Sequence, residues 1–488
     1  MAKRVEQLEI QVHTLRKALA VQHLRGFEAA KQSRRTDNWA VSNLGPNADL
    51  RLSLQRIVAR HQDLVDSNPW ASKAVAVIVS NWVGDGIIGK PINASKRYGE
   101  GWRDWSESTA CDFDGLGNLY SKQALIARTV AVRGSCLIRQ RFDDRLMRQG
   151  LVPLQIQVME PDYLDFSKDD GAKIRFGKQY NNAGQLEGYW LRRSHPGESD
   201  WTASSIAQSD FVPAEQVCHV YDVRRPGQAT GVPFGVAALL TLRDIGDRDA
   251  AQLMKDKLAA CFMAFLEESD PEALGTGAAE ILDTLEPGAI EILPPGKNVR
   301  FSEPPSSGDY VATQRYHLQA VAQAYEITYE ALTGDLSQVN FSSGRMGWQE
   351  MRRAVARWRW SIMIPQFLDP LARWYREAAG AAGLASRGTW RFEWTPPITW
   401  LTDPAREIPA YVEAVQAGFM SLSEIQRMLG YVPELVIQEL GMDMAAARAA
   451  GLRLITDGQQ GAGARQASNG QSAAELGKIE NQAESLMV

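Results

Sequence analysis

The chain has 488 residues, of which 44% are hydrophobic and 23% charged, and its 53 basic and 58 acidic side chains leave a net charge of −5. That composition fits a globular protein of about three domains that buries about three-quarters of its unfolded surface. It argues against a dedicated nucleic-acid binder, which would carry a basic domain, and no run approaches the ~20 apolar residues of a membrane span.

Val5, Leu8, Val12, Leu15 and Leu19 recur at three- and four-residue steps until Gly26 ends the pattern. This predicts a helix over the first 37 residues, either with a self-association seam or packed on its own chain. The opening MAKRVEQLEIQV has no apolar signal core, so the protein is expected to stay inside the cell that makes it. Residues 38–120 mix helical periodicity with Trp39, Trp70, Trp82, Trp102 and Trp105. From 121 to 235, strand-like runs at 136–138, 154–158, 188–191 and 216–220 alternate with turns at Asp169-Asp170-Gly171 and Asn182-Ala183-Gly184, an α+β pattern.

A long helix is predicted over 234–262, with Leu239, Leu242, Ile245, Ala250, Leu253, Met254, Lys257 and Leu258 on one face. A proline-rich insertion with short strands, such as 289–293, occupies 263–308. A second helix is predicted over 309–332, with Leu318, Val321, Ala322, Tyr325 and Tyr329 on its buried face. A polar loop follows over 333–345, rich in Gly, Ser, Asp and Asn, which favour turns. Then Trp348, Met351, Val355, Trp358 and Ile362 mark an apolar stripe, with Arg352, Arg353, Arg357 and Arg359 displaced from it. Pro365 and Pro370 are expected to interrupt or kink the chain. A strand at 390–394, short helices over 403–450 and an apolar-poor, disordered tail complete the reading.

No motif for covalent chemistry emerges. Cys111, Cys136, Cys218 and Cys261 form no Cys-x-x-Cys pair, which argues against zinc and disulfides and fits a reducing compartment. The six histidines show no metal-ligand spacing, and Cys218 and His219 would face opposite sides of a strand. Gly84-Asp85-Gly86-Ile87-Ile88-Gly89-Lys90 satisfies a dinucleotide pattern and part of a phosphate loop. However, Pro91 stands where magnesium needs Ser or Thr. A glycine-rich turn between helix and strand is the better account, with a nucleotide-dependent enzyme as the alternative. Catalytic residues, metal ligands and cofactors are therefore all expected to be none. On the arginine-rich helix, Trp348 and Trp358 are expected in the core while the arginines pair with acids of a neighbouring subunit. Phosphate contact by Arg345, Arg352, Arg353 and Arg357 is the other reading.

Several segments in order carry a family resemblance. They are Ser67-Asn68-Pro69-Trp70-Ala71, Trp82-Val83-Gly84-Asp85-Gly86-Ile87, Trp102-Arg103-Asp104-Trp105 with Cys111-Asp112, Arg224-Arg225-Pro226-Gly227-Gln228 with Gly231-Val232-Pro233, Leu285-Glu286-Pro287-Gly288, Gly334-Asp335 with Asn340-Phe341-Ser342-Ser343 and Arg345, and Trp400 with Asp403-Pro404 and Arg406-Glu407. Together, over about residues 38–445, they resemble phage portal proteins of the lambda-like family. Phe341 replaces the usual Tyr, and Gly134-Ser135 a common Gly-Glu.

The resemblance implies a head-tail connector with a portal-type α+β fold. Its expected parts are an N-terminal extension (1–37), an α/β wing (38–233), a stem helix (234–262), a β-containing clip (263–308), a second stem helix (309–332) and a tunnel loop (333–345). A long wing helix and strand (346–400), a helical crown (401–456) and a tail (457–488) complete them. The implied assembly is a ring, usually of twelve copies, at one capsid vertex of the virion and built in the host cytoplasm. Double-stranded DNA would pass through it without sequence specificity. Implied partners are the terminase large subunit, the major capsid or scaffold protein and a head-tail adaptor. Gly334, Asp335, Ser337, Gln338, Asn340, Ser342, Ser343 and Gly344 are the candidate DNA-channel residues. A non-ring minor head protein is the remaining alternative.

Overall fold

The computed structural model describes residue 12 and residues 42–198, 208–260, 264–268, 297–301, 310–384, 391–397 and 403–452. The chain divides into two compact units, residues 1–55 with 225–228, and residues 56–224 with 229–488. In the smaller unit, Arg225 pairs with Asp49 at 3.1 Å and donates to the Leu44 carbonyl at 3.2 Å. Asn47 donates to the Gly227 carbonyl at 3.0 Å, so the Arg225–Gln228 motif is a turn held by polar contacts.

Helix α1 spans Pro46–Ser67 and α2 spans Pro69–Trp82. Asn68 separates them: its side chain accepts from the Trp70 and Ala71 amides, and Pro69 takes the first helical position. The chain continues through β1 (Ile88–Ile92), α3 (Lys96–Glu107), α4 (Leu119–Arg133), β2 (Ser135–Phe142), α5 (Asp144–Arg148) and β3 (Leu154–Met159). Next come β4 (Ile174–Arg175), β5 (Lys178–Tyr180), β6 (Leu186–Arg192), β7 (Ser209–Pro213) and β8 (Val217–Tyr221). Helix α6 (Leu239–Ala260) leads to strands β9 (Ala264–Glu268) and β10 (Lys297–Phe301), then to helices α7 (Tyr310–Ala324), α8 (Tyr329–Thr333) and α9 (Phe341–Trp358). A π-helical stretch (Arg359–Leu368), α10 (Asp369–Ala381), β11 (Arg391–Thr395), α11 (Pro404–Gln416), α12 (Leu422–Met428) and α13 (Pro433–Ala449) complete the order.

The fold mixes helix and sheet. Strands β3-β2-β8 form one antiparallel sheet and β4-β5-β6-β7 another, while β1 pairs with β11 and β9 with β10. The main core joins α2, α3, α4, α7, α9, α10 and the π-helical stretch. Trp82 stacks on Trp358 with ring centroids 4.2 Å apart and planes 10° apart, a pair that contributes about 0.5–1.5 kcal/mol beyond area burial. Two other buried tryptophans are fixed by their N–H groups: Trp102 donates to the Gly89 carbonyl at 2.7 Å and Trp105 to the Leu154 carbonyl at 2.8 Å.

Asp112, fully buried, holds the turn before α4. It takes the Lys122 ammonium at 2.7 Å and the amides of Asp114, Leu116 and Gly117. Burial pushes its pKa up, but these donors outweigh burial and the net shift is downward.

Four expectations differ from the structure. The apolar face of α6 is buried at Leu239, Leu242 and Ile245, while Leu253 and Met254 are exposed. The helix predicted over 309–332 is two, α7 and α8, because Glu326 turns into the left-handed region at φ 57°. Pro365 does not break the chain's helical course, since the backbone widens to π-helix around it and Pro370 falls at the start of α10. Trp348 is 44% exposed, whereas Trp358 is buried as expected. The N-terminal helix apart from Val12, the strand at 289–293, Cys261 and the tail beyond 452 lie outside the described residues.

Candidate functional site

The segment between α8 and α9 is the candidate site. Helix α8 starts at Thr328, whose side chain accepts from the Ala331 amide, and ends where Gly334 adopts φ 73° and its amide bonds back to the Glu330 carbonyl. That left-handed closure suits glycine, which has no Cβ to clash. Asp335 then organises the loop. Its carboxylate accepts from the Ser337 amide at 3.0 Å and the Tyr329 hydroxyl at 3.2 Å. Hydrogen bonds from Ser337 lead in drawing its pKa below the usual carboxylate value, so the loop carries a fixed negative charge. Leu336, Ser337, Gln338 and Asn340 are exposed.

The loop is shorter than the 333–345 predicted. Asn340 caps α9 with its side chain accepting from the Ser343 amide at 2.8 Å, and the Ser343 hydroxyl takes the Asn340 amide at 3.2 Å. This reciprocal pair starts the helix at Phe341. Ser342, Ser343, Gly344 and Arg345 therefore sit in its first turns. The Asn and two Ser that composition assigned to a loop include a capping pair, a role their spacing of three announces. Leu336, 66% exposed, is an apolar member of the loop that the polar-composition signal passed over.

The arginines of α9 divide. Arg357 sits between Asp222 at 3.3 Å and Glu326 at 3.2 Å, so its charge is met within its own chain rather than only across subunits. Arg345 lies 4.0 Å from Glu407, and Arg352 and Arg353 are exposed. Beyond α9, Arg359 donates to the carbonyls of Trp82 and Asn81, both at 2.7 Å, and burial lowers its pKa to about 10. Arg359 thus ties the end of α2 to the end of α9.

The glycine-rich segment 84–90 has a different geometry from a phosphate loop. Gly89 already lies within β1, which begins at Ile88, rather than opening a helix, and Lys90 pairs with Glu434 at 2.7 Å. A phosphate loop requires the free amides of a helix start, and the next helix begins only after Ser95. Cys218 and His219 do face opposite ways: Cys218 joins the main core, and His219 lies against Tyr189 and Tyr221. Burial raises the pKa of the Cys218, Cys136 and Cys111 thiols, that of Cys111 to about 12, which makes them poor nucleophiles. Among the described residues, Glu160, Asp162 and His195 are close enough to share a cation. Arg133 already fills that role, pairing with Glu160 at 3.0 Å and Asp162 at 2.5 Å.

The family profile for phage portal proteins of the lambda family matches residues 32–359, about two-thirds of the chain and inclusive of the loop and α9. The chain belongs to that family. A probable portal protein of Halomonas phage phiHAP-1 is 22% identical over 454 residues, covering 86% of each chain. Among solved structures, a chain in the virion of a native gene transfer agent particle is 14% identical with a TM-score of 0.47, over 81% of this chain and 98% of its own. A chain in the neck of an empty gene transfer agent particle is 16% identical with a TM-score of 0.48, over 78% and 94% respectively. Family membership rests on the sequence match. Portal proteins are a structural family rather than an enzymatic one. Among the described residues, no helix is long and apolar enough to cross a membrane.

Proposed function

We propose that this protein forms the portal ring at a unique capsid vertex and that double-stranded DNA passes through its bore during packaging and ejection. The observation that carries the reading is the family match over residues 32–359, which spans the exposed loop between α8 and α9. In this reading residues 38–233 form the wing, α6 and α7 the stem, 263–308 the clip, and 401–456 the crown. The terminase large subunit and later the head-tail adaptor dock on the clip, and the capsid or scaffold protein surrounds the ring. A head-to-tail contact closed by rotation builds such a conduit.

The loop 334–340 is the segment we assign to the bore. Ser337, Gln338 and Asn340 offer weak, sequence-blind hydrogen bonds to a backbone, and ionised Asp335 repels phosphate. A lining of this kind lets a duplex slide, whereas a row of cations would hold it through phosphate contacts. Ser342, Ser343 and Gly344 support the loop from the first turn of α9, and Arg345, Arg352 and Arg353 remain candidates for phosphate or neighbouring-subunit contacts.

Negative-stain images of the purified protein test the assembly: rings with a central hole are expected, and monomers or irregular aggregates would overturn the reading. Removing Val339–Ser343 would also remove the cap of α9, so the loop is better tested by deleting Leu336–Gln338. Rings should still form while packaging or retention of DNA is impaired.

A further inference from the structure

Two buried bases sit beside the apolar joint between the two larger sheets, where Leu137, Leu164, Tyr189 and Val217 pack together. Lys178 of β5 is 3% exposed and His219 of β8 is 7% exposed. Lys178 stands directly across from Tyr189 in the β5–β6 ladder. Its ammonium nitrogen lies 4.7 Å from the Tyr221 ring centre and 5.7 Å from that of Tyr189. Its hydrogen bond is a long one, 3.4 Å to the Tyr221 hydroxyl. Among the described residues, neither ring nitrogen of His219 has a hydrogen-bond partner, and the ring is packed between Tyr189 and Tyr221 at 5.9 and 4.6 Å.

The titratable groups around the pair are Tyr180 of β5, Tyr189 of β6, and Tyr221 and Cys218 of β8. Burial raises the pKa of all four, so each is neutral near pH 7. Arg175 acts on Tyr180 and Arg373 on Cys218, adding positive charge rather than negative. Among the described residues, no carboxylate acts on either base. A protonated Lys178 would have two aromatic faces to offset its lost hydration, and a protonated His219 would have two N–H donors with no acceptor. Buried bases are normally paired with an acid or an acceptor network. Here the surroundings suit the uncharged forms.

We propose that this joint is a proton-operated latch between the two sheets, closed while Lys178 and His219 are neutral and loosened when they take up protons. Burial lowers the pKa of Lys178 to about 7 and that of His219 well below its ordinary value. The opened state therefore binds protons more tightly than the closed one, and opening is favoured as pH falls. For Lys178 the loss runs from its ordinary value of 10.5 down to about 7. For His219 it begins below 6.5.

Hydrogen exchange of the full chain in its native assembly, corrected for the intrinsic rate at each pH, tests this. Protection of β5, β6 and β8 should fall about tenfold per pH unit from about 9, the ordinary value of the Cys218 thiol, to about 7, level off, and fall again below about 6.5. Strands β1 and β11 should show no such limbs. Lys178→Met should remove the upper limb and His219→Leu the lower. A flat wild-type profile in β5, β6 and β8 overturns the latch whether or not the variants fold, as does an unchanged profile in a folded variant.

Discussion

Two segments that each open on a Gly-Asp pair, 84–90 and 334–340, have opposite roles in the fold. In the first, glycine makes room for neighbours: a Cβ on Gly86, at φ 117°, would sit 2.4 Å from the Tyr120 ring, and one on Gly89 would sit 2.2 Å from Trp394. The second lies open, and a Cβ on Gly334 meets nothing within 4 Å. Packing defines the first segment from outside, through aromatic rings on α4 and β11. Local hydrogen bonds define the second from within, through Asp335 and the Asn340–Ser343 cap. A glycine pattern read without its neighbours therefore identifies neither a nucleotide site nor a channel loop.

The largest test of this contrast is Gly86→Ala. The added methyl group meets both a ring and a backbone angle that only glycine adopts readily, so thermal or urea unfolding should report a loss of about 2–4 kcal/mol. A loss below about 1 kcal/mol would mean the turn is not packed as described. Gly334→Ala should cost only about 1–2 kcal/mol, from the left-handed backbone alone. Next, Asn340→Ala should cost about 1 kcal/mol by removing the α9 cap, and Asn340→Ser should recover most of it. The smallest effect is expected from Lys90→Ala, because the Lys90–Glu434 pair is 33% and 52% exposed and a surface pair contributes about 0–1 kcal/mol. Calorimetric titration of wild type with ATP or NAD should give no binding for Lys90→Ala to abolish, and saturable binding lost in that variant would restore the nucleotide reading.

Much of the fold was legible where one periodicity ruled. Strands β2, β3, β6 and β8 lie where alternation and turns placed them. Boundaries that depend on side-chain-to-backbone bonds were harder to read. Asn340 and Ser343 belong to residue types that serve loops and caps equally, so the start of α9 was misplaced. The exposed Trp348 follows the same stripe as buried Trp358, because periodicity gives direction on a helix but says nothing of where the neighbouring element ends. The widened helix around Pro365 had no sequence signal other than the proline itself.

The chain's residues alone determined its family, its mixture of helix and sheet and the existence of an open polar segment before a basic helix, since these rest on local order along the backbone. Only the tertiary structure decided that Lys90 belongs to a strand, that Arg357 meets Asp222 and Glu326, and that Lys178 and His219 lie buried side by side against Tyr221. Each of those depends on residues distant in the chain meeting in space, and it is the neighbours so gathered that set whether a charge is paired, solvated or suppressed.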